Sequence, residues 1–478
     1  MTDNPRPLTG TDRFGSVRAG RVRRTVPVVG FAARAAGGRV VAGLRNRAGD
    51  PEALDRFHHQ TAERYAEMLG HSKGVLMKAG QLLSTYDVEV GGPLATYQAA
   101  LQRLQSDAPP MDFATTRDVV EADLGTQIKD AFDEFSPDPI AAASIGQVHR
   151  ATLIDGTHVA VKVQYPGVAR AIRDDLANTE LLATFLKLGM SLTPRAMRTD
   201  QRSAAAEVAE RIAEELDYRH EARSIRRFAE LYRDHPFVRV PDVVDSHSGD
   251  RVITMTFLDG LGWAQARTAD QELRNRWAEA ICYFGFGAYR HSNLFNADPH
   301  PGNYRFREDG TVGFVDFGCV KQFPEWVRRG IVTMFRATCD GDRHELYRLM
   351  IEHGFLTADT DLDVDHAYQW WAMMASSVNT EQPHTFVPAD STGLVQSMFD
   401  DGPIGLAARK MHIPSDYVML TRINLGINAI LSELGATLDT RDQLDCVDGV
   451  GEPKTAASRA HAAWARKRGL PFGLTERS

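Results

Sequence analysis

The stretch from Asn296 to Gly318 constrains the fold and chemistry of this chain more than any other. It contains an acid at Asp298, an amide five residues later at Asn303, and a second acid at Asp316 that precedes a Phe-Gly pair. Phosphoryl transfer uses such a set: one carboxylate stands near the acceptor, while an amide and a second carboxylate hold the metal that bridges the phosphates. The order of these residues therefore predicts a phosphoryl-transfer site.

Two short apolar runs inside this stretch indicate how its polar groups meet. Residues 304–306 and 311–315 flank an Asp-Gly pair, which is typical of a β-hairpin. Because a hairpin brings the chain back on itself, we expect Asn303 and Asp316 to lie side by side. Each motif alone is common by chance, but the two joined by a hairpin are much rarer, which favours a phosphate site over an acidic surface turn.

A second predicted hairpin, earlier in the chain, carries an isolated lysine. Its β-runs at 147–153 and 157–163 flank another Asp-Gly pair. Alternation along the second run puts its valines on one face and Ala160 with Lys162 on the other. Two interpretations of Lys162 remain open: it either blunts the edge of a sheet or reaches a phosphate in a cleft.

The segment before the lysine hairpin aligns with the phosphate-loop template G-x-G-x-x-G-x-V. Residues 141–148 match it at Gly146 and Val148, whereas alanines replace the other two glycines. Alanine adopts a positive φ only at a cost, so we expect this loop not to lie over phosphates as a glycine loop does. The end of a helix is the alternative interpretation.

Residues 200–234 form the longest helical pattern and carry an acidic stripe. On a regular helix Glu215 and Asp217 point about 200° apart, so they cannot hold one ion together. Asp217 and Glu221, four residues apart, can face a common site. Glu221 is therefore the preferred ion-pair partner of Lys162, and Glu215 is the alternative.

A further β-run at 251–257 ends at a Leu-Asp-Gly break. A two-lobed kinase has its hinge at this point of the chain, and backbone groups from Met255 to Leu258 would then meet adenine. The candidate nucleotide-contacting residues are Ala141, Ala142, Ala143, Ser144, Gly146, Val148, Ala160, Lys162, Met255 and Leu258.

The rest of the chain is predominantly helical in pattern. Helices are predicted at 272–289, 326–350, 368–376 and 415–434. Ser415 is the expected N-cap of the last of these. The residues from Gly449 onward are polar and alanine-rich, and we expect them to be loosely ordered. None of these segments has the roughly 20 apolar residues that span a bilayer.

A helical pattern at 51–86 contains the sequence Lys-Ala-Gly-Gln. Lys78 and Gln81 are three residues apart and share a face of the helix. Gly80 destabilises a helix by about 1 kcal/mol relative to alanine, unless another segment approaches closely there. Taken alone, the motif is an exposed lysine beside a packing glycine.

Charge is distributed unevenly along the chain. Residues 1–47 contain ten arginines and two aspartates, whereas the whole 478-residue chain has a net charge of −8. This basic arm is either a solvated segment or one attracted to an anionic membrane surface, with about 1 kcal/mol per arginine near the lipid. Few aromatic residues interleave the arginines, so no nucleic acid partner is expected. The four cysteines lack metal-site spacing and fit a reducing, cytoplasmic setting.

The motifs follow one another in the order of a protein kinase: phosphate loop, lysine strand, acidic helix, hinge, D-x-x-x-x-N, hairpin and DFG. The amino-acid sequences of four short segments are more specific than this order. They are Lys-Ala-Gly-Gln at 78–81, Ala-Ala-Ala-Ser at 141–144, Glu-Leu-Asp at 215–217 and Ala-Asp-Pro-His-Pro-Gly-Asn at 297–303. Over residues 55–430 the chain resembles the UbiB (aarF-domain-containing, ADCK-like) family of atypical kinases.

The resemblance implies an α+β, two-lobed protein-kinase-like fold with an N-terminal helical extension over the active site. The expected domains are a basic arm at 1–50, the extension at 51–111, an N-lobe with a helical insert at 112–260, a helical C-lobe at 261–440 and a C-terminal tail at 441–478.

The resemblance also implies roles for the site residues. Lys162 would hold the α- and β-phosphates. Asn303 and Asp316 would bind Mg²⁺, and Asp298 would stand at the position of the catalytic base. The alanine-rich loop would bias the preference between ATP and ADP and restrain phosphorylation of ordinary protein substrates.

Regulation would come from the extension. The helix that bears Lys78 and Gln81 would cover the cleft and meet Glu215 and Asp217, which closes the site to large protein substrates. This chain departs from the family pattern at Asn296, two residues before the catalytic acid, where His is common.

Members of the family are tied to isoprenoid-quinone biosynthesis and lipid homeostasis, often at membranes. The resemblance therefore implies a Mg²⁺-dependent, ATP-binding atypical kinase, acting as a slow ATPase or small-molecule phosphotransferase on or near an isoprenoid lipid or quinone precursor. The alternatives are a nucleotide-gated lipid-binding protein without phosphotransfer, and a conventional protein kinase. The expected location is the cytoplasm, with peripheral contact at the inner face of the membrane through the arm.

Overall fold

The structure is a computed structural model that describes residues 110–143, 145–170, 172, 213–388 and 402–475. The basic arm, Lys78, Gln81 and Ser144 lie outside the described residues, as does the predicted extension up to residue 109. The chain divides into two compact units. The elements below belong to the unit that contains residues 110–165 and 214–478.

The strands of this unit form four small sheets. They are β1 Phe132–Ala143, β2 Gly146–Leu153, β3 His158–Gln164, β4 Val238–Arg239, β5 Val252–Thr256, β6 Leu294–Asn296, β7 Tyr304–Phe306, β8 Val312–Phe314, β9 Val320–Gln322, β10 His384–Thr385 and β11 Thr437–Leu438. The largest sheet has the order β1-β2-β3-β5, and the others are β4-β8-β7, β6-β9 and β10-β11.

The helices outnumber the strands after β5. They are α1 Phe113–Leu124, α2 Ile128–Ala131, α3 Tyr218–Leu231, α4 Trp263–Ala266, α5 Gln271–Cys282, α6 Ala288–Ser292, α7 Glu325–Cys339, α8 Arg343–Glu352, α9 Val364–Met374, α10 Ser376–Asn379, α11 Pro403–Lys410, α12 Ser415–Leu434, α13 Thr440–Asp448 and α14 Ala456–Lys467. None of the helices in the described part of the chain has the length and hydropathy of a membrane span.

The four-stranded sheet contains the predicted lysine hairpin. β2 and β3 pair in antiparallel register with Val148 opposite Lys162, and the turn between them has Gly156 at φ 84°. The alternating valines of β3 face a core that also includes Val119 and Val120 of α1. The hairpin is therefore anchored by burial of one face, which fixes its register and leaves Lys162 on the other.

The alanine-rich segment ends a strand rather than a helix, so the helix-end interpretation is wrong. β1 continues through Ala141 and Ala143, which pair with Val148 and Gly146 of β2. The chain then turns directly into β2. Alanines fit this extended backbone without a positive φ, and the turn stands where a phosphate loop would begin.

The single helix predicted over 200–234 is broken within its described part. Residues 213–215 are helical, but α3 begins anew after Asp217. The Asp217 carboxylate accepts a hydrogen bond from the backbone N–H of His220 and so caps the new helix. Helical periodicity does not reveal such a break, because the helical spacing of apolar residues in the sequence continues across it.

Three other helix predictions need correction. The helix expected at 326–350 divides into α7 and α8 at Gly341, which has φ 71°. The one expected at 272–289 runs on to Ser292, through a π-helical turn at Tyr283–Gly287 between α5 and α6. Ser415 is the first residue of α12, and the N-cap position belongs to Pro414.

The C-terminal residues are ordered, contrary to the expectation for the region after Gly449. Thr455 caps α14 by accepting a hydrogen bond from Ser458 N, and the helix buries Ala457, His461 and Trp464. The Trp464 ring stacks on Tyr232, the C-cap residue of α3, with a centroid distance of 5.8 Å. The alanine-rich segment is polar on average, but its few large side chains lie on one face of α14 and pack against the rest of the protein.

Candidate active site

Lys162 of β3 and Glu221 of α3 form the central ion pair of the site. The lysine Nζ donates to Glu221 Oε1 at 2.7 Å and to Oε2 at 2.9 Å. Glu221 is 2% exposed. The sequence left two partners open for Lys162, and in the structure the direct partner is Glu221. Glu215 lies close to the DFG segment, since its Cγ would be 3.8 Å from a Cβ placed on Gly318.

Asp316 joins this pair from the other side. Its Oδ2 lies 3.7 Å from Lys162 Nζ, and its Oδ1 accepts a hydrogen bond from Gly318 N at 2.9 Å. The Asp316 side chain is 34% exposed, far more than that of Glu221. Asp316 can therefore reach an incoming ligand, whereas Glu221 is held inside the protein.

The charges of the site do not cancel. Burial disfavours the charged form of Lys162, but Asp316 and Glu221 outweigh burial and raise the lysine pKa well above its usual range. Burial raises the pKa of Glu221, against the opposing charge of Lys162. One ammonium group thus faces two acidic side chains, and the net negative charge that remains favours binding of a divalent cation.

The hairpin predicted between Asn303 and Asp316 brings these two residues close together. β7 and β8 pair in antiparallel register, and Val315 N donates to Asn303 O at 3.0 Å just beyond the ladder. Asn303 closes a 3₁₀ turn at Pro301–Asn303. Backbone pairing therefore fixes the relative position of the amide and the DFG carboxylate, as the sequence predicted.

Asn296 supports the loop that carries Asp298. Its Nδ2 donates to Asp316 O at 2.9 Å, and its Oδ1 accepts from Asp298 N at 3.1 Å. One side chain thus links the loop to the DFG segment. The sequence marked this position only as a departure from His, but an amide provides both a donor and an acceptor at this distance.

Asp298 itself is half-buried and lies next to Tyr304. Burial, with a further contribution from the Asp298 charge, raises the pKa of the Tyr304 phenol. The backbone of Asp298 is fixed on both sides, because its carbonyl accepts a hydrogen bond from His300 N at 2.8 Å and its N–H binds Asn296.

The turn between β1 and β2 requires glycine at Gly146. A Cβ at this position would overlap Val163 O and lie 2.8 Å from Tyr218 Oη. Ala141 and Ala143 are half-buried and Ala142 is exposed. Glycine is thus retained where the backbone is crowded, and alanine replaces it where the strand is extended.

The predicted hinge residues lie on neighbouring strands. Met255 of β5 pairs with Ala160 of β3, and Leu258 lies two residues after the end of β5. The Leu258 side chain contacts β8, since its Cδ1 would be 3.1 Å from a Cβ on Gly313. The residues expected around adenine are thus next to the strands that carry Lys162 and precede Asp316.

Two contacts of the site were missed by sequence reasoning. The ring of Tyr218 lies 5.4 Å from Lys162 Nζ, and its hydroxyl is buried without a hydrogen-bond partner among the described residues. Lys321, after the DFG segment, donates to Glu214 at 2.6 Å. Tyr218 stands three residues before Glu221, so helical spacing was the available signal.

Asp217, by contrast, does not join Lys162. Its carboxylate is exposed, caps α3 and lies 3.6 Å from Arg223. The predicted partners of Asp217, Lys78 and Gln81, lie outside the described residues.

Known proteins similar to this chain include atypical kinases. Residues 103–350, just over half of the chain, match the family described as the ABC1 atypical kinase-like domain. The chain is 28% identical to atypical kinase COQ8B, mitochondrial, of Rattus norvegicus, over 86% of this chain and 74% of that protein. It is 33% identical to atypical kinase COQ8, mitochondrial, of Saccharomyces cerevisiae, over 62% of this chain and 58% of that protein.

A solved structure is similar to this chain in fold. The complex of Rv3197 with erythromycin from Mycobacterium tuberculosis is similar to this chain with a TM-score of 0.60 and 30% identity, covering 83% of this chain and 97% of that one. The α+β, protein-kinase-like fold expected from the sequence is confirmed. The chain therefore belongs to the ABC1 atypical kinase-like family, the UbiB family that its motifs resemble.

Proposed function

We propose that this protein binds ATP or ADP together with Mg²⁺ and acts as a slow ATPase or small-molecule phosphotransferase. The observation that carries the proposal is the Lys162–Glu221 pair at 2.7 Å with Asp316 at 3.7 Å from the same ammonium group. Kinases use this arrangement to hold a nucleotide. The substrate context is isoprenoid-quinone or lipid metabolism, by analogy with the family.

The donor set of the site fits Mg²⁺. Asn303 and Asp316 offer amide and carboxylate oxygens, which are the hard ligands that Mg²⁺ prefers, and one or two protein ligands are enough when phosphates supply the rest. When bound, the ion would neutralise charge that develops on the transferred phosphoryl group. Asp316 would then exchange its contact with Lys162 for the metal.

The remaining residues position the reactants. Glu221 holds the Lys162 ammonium group so that it faces the phosphates. Asn296 fixes the loop so that Asp298 stands near the acceptor, where its carboxylate would orient the acceptor hydroxyl or water and take its proton.

ATP turnover by the full chain tests this proposal, with and without Mg²⁺, anionic liposomes and a phenolic quinone-precursor analogue. We expect Mg²⁺-dependent turnover that falls roughly 100-fold or more in Asp298→Asn, as for loss of a general base. Glu308→Gln, an exposed carboxylate in the β7–β8 turn, is the matched control. If nucleotide binds but turnover is absent under every condition, the enzyme assignment is wrong and binding alone is the function.

We further propose that the basic arm brings the protein to anionic membrane surfaces. Ten arginines within residues 1–47 support this, because each contributes about 1 kcal/mol near anionic lipid. Co-sedimentation with anionic liposomes should weaken strongly when residues 1–47 are deleted. Equal binding of the deleted and full-length chains would exclude the arm as the membrane contact.

A further inference from the structure

A cavity of about 100 Å³ lies among the helices that follow the active-site segment. Side chains of α5, α6, α7, α9, α10, α12 and α13, together with residues between the helices, form its walls. Lys162, Asp298, Asn303 and Asp316 are not among them. Most of the wall is aromatic or aliphatic, including Phe286, Phe335, Phe355 and Leu431.

Three buried donors on the wall lack hydrogen-bond partners. They are Trp370 Nε1, Trp371 Nε1 and Gln443 Nε2, and none has a partner among the described residues. Both tryptophans are only 4% exposed. An indole N–H can only donate, and a buried donor left unpaired is costly.

Other buried tryptophans of the chain show that this is unusual. Trp277 Nε1 donates to Arg307 O at 2.7 Å, and Trp464 Nε1 donates to Arg233 O at 2.9 Å. Among the buried tryptophans, the two whose Nε1 has no partner within the described residues are the two that line the cavity. The wall of the cavity therefore contains buried donors that have no acceptor among the described residues.

Charge does not determine what the cavity accepts. Arg290 of the wall is paired with buried Asp448 at 2.5 Å. Burial raises the pKa of the Cys282 thiol far above neutral pH, so that group is an uncharged part of the wall. An uncharged, largely apolar molecule with acceptor oxygen atoms matches these walls best.

The volume limits the size of such a molecule. One water needs roughly 10–15 Å³, and an apolar cavity of roughly 150 Å³ holds benzene. The space of about 100 Å³ is thus larger than a water site and close to that of a single ring.

We propose that this cavity binds a compact, uncharged ring compound that carries a carbonyl or ether oxygen, and that Trp370, Trp371 and Gln443 donate to that oxygen. The site is separate from the nucleotide site and does not rest on the function proposed for it.

A pair of nearly isosteric ligands tests the proposal on the full chain. 4-Fluoroacetophenone carries a ring carbonyl, and 1-fluoro-4-isopropenylbenzene replaces the oxygen with CH₂. We expect ¹⁹F NMR titration to give about tenfold tighter binding for the ketone, the effect of one net hydrogen bond. In Trp370→Phe/Trp371→Phe this preference should fall to about twofold or less, whereas the half-exposed Trp326→Phe should retain it. If neither ligand binds, or if the preference for the ketone survives the double substitution, the proposal is overturned.

A second measurement needs only the wild-type fold. ¹⁵N-tryptophan labelling gives one indole signal for each of the six tryptophans, and single Trp→Phe variants assign them. The ketone should move the signals of Trp370 and Trp371 and leave those of Trp277 and Trp464 in place. If the signals of Trp370 and Trp371 stay unmoved at saturating ketone, the assignment of this cavity is wrong.

Discussion

Lys162 Nζ and Glu221 Oε1 are separated by 2.7 Å, although the two residues are 59 positions apart in the sequence. The contact joins β3 to α3 in a buried setting. A buried charge pair is retained only with close geometry, because each unpaired partner is strongly destabilising. The pair therefore fixes both the lysine and the helix relative to the DFG carboxylate.

Loss of the lysine charge should weaken nucleotide binding. In Lys162→Met we expect Mg–ADP affinity, measured by calorimetry, to fall by roughly 1.5 to 3 kcal/mol, the contribution of a charge-assisted hydrogen bond. The exposed Lys129→Met should bind as the wild type does. Unchanged affinity in Lys162→Met would remove this residue from the phosphate site.

Asn296 should matter for turnover more than for nucleotide affinity. Asn296→Ala removes the donor to Asp316 O and the acceptor of Asp298 N, each contributing about 1 kcal/mol. We expect a lower kcat with a nearly unchanged KM for ATP, because the loop bearing Asp298 loses its support. Asn296→His, the residue common in the family, should recover part of kcat. Steady-state kinetics equal to the wild type in Asn296→Ala would contradict this role.

A chain of buried histidines holds α14 in place. Phe237 N and Val238 N donate to His235 Nδ1, so His235 must donate from Nε2 to His461 Nδ1 at 3.0 Å. His461 then donates from Nε2 to His291 Nε2, also at 3.0 Å. His235 and His461 each have one assigned proton, and an added proton on either ring would break the chain.

Acid should therefore destabilise the fold. Burial, reinforced by His291, lowers the pKa values of His235 and His461 well below the usual value. Above the pKa of about 6.5 that histidine has in the unfolded chain, the contribution of these two residues to the free energy of unfolding is fully present. Below it the unfolded state binds more protons than the folded state, and each histidine lowers the free energy of unfolding by about 1.4 kcal/mol per pH unit. Urea unfolding between pH 5 and 7.5 measures this. His461→Gln should reduce the slope of the free energy of unfolding against pH, and the exposed His344→Gln should leave that slope unchanged. Equal slopes in His461→Gln and the wild type would refute the explanation.

Gly146 should resist substitution. Gly146→Ala forces a Cβ against Val163 O and Tyr218 Oη, and overpacking of this kind lowers the free energy of unfolding by about 1–3 kcal/mol. Gly262→Ala meets no atom within 4 Å and is the control. Denaturant unfolding that fails to separate the two variants would show that the turn can relax.

Much of the site could be predicted because its determinants are local. Alternation and Asp-Gly turns defined both hairpins, and helical spacing selected Glu221. The break before Tyr218 was missed because a capping carboxylate at Asp217 leaves no trace in periodicity.

Other features depend on contacts between distant segments. Helix α14 gains its order from His461 and Trp464, whose partners include Arg233 and His235, more than 200 residues earlier. The cavity beside Trp370 is formed by seven helices and the residues between them. A one-dimensional pattern does not show which helices meet, so neither feature could be predicted from the sequence.

The most direct test of the account is calorimetric binding of ATP and ADP, with and without Mg²⁺, to wild type, Asp316→Asn and Glu308→Gln. We predict Mg²⁺-dependent binding by the wild type and Glu308→Gln, and loss of the Mg²⁺ dependence in Asp316→Asn. Nucleotide binding by the wild type that does not depend on Mg²⁺ would contradict the assignment of this site. So would Mg²⁺-dependent binding by Asp316→Asn with the same affinity as the wild type.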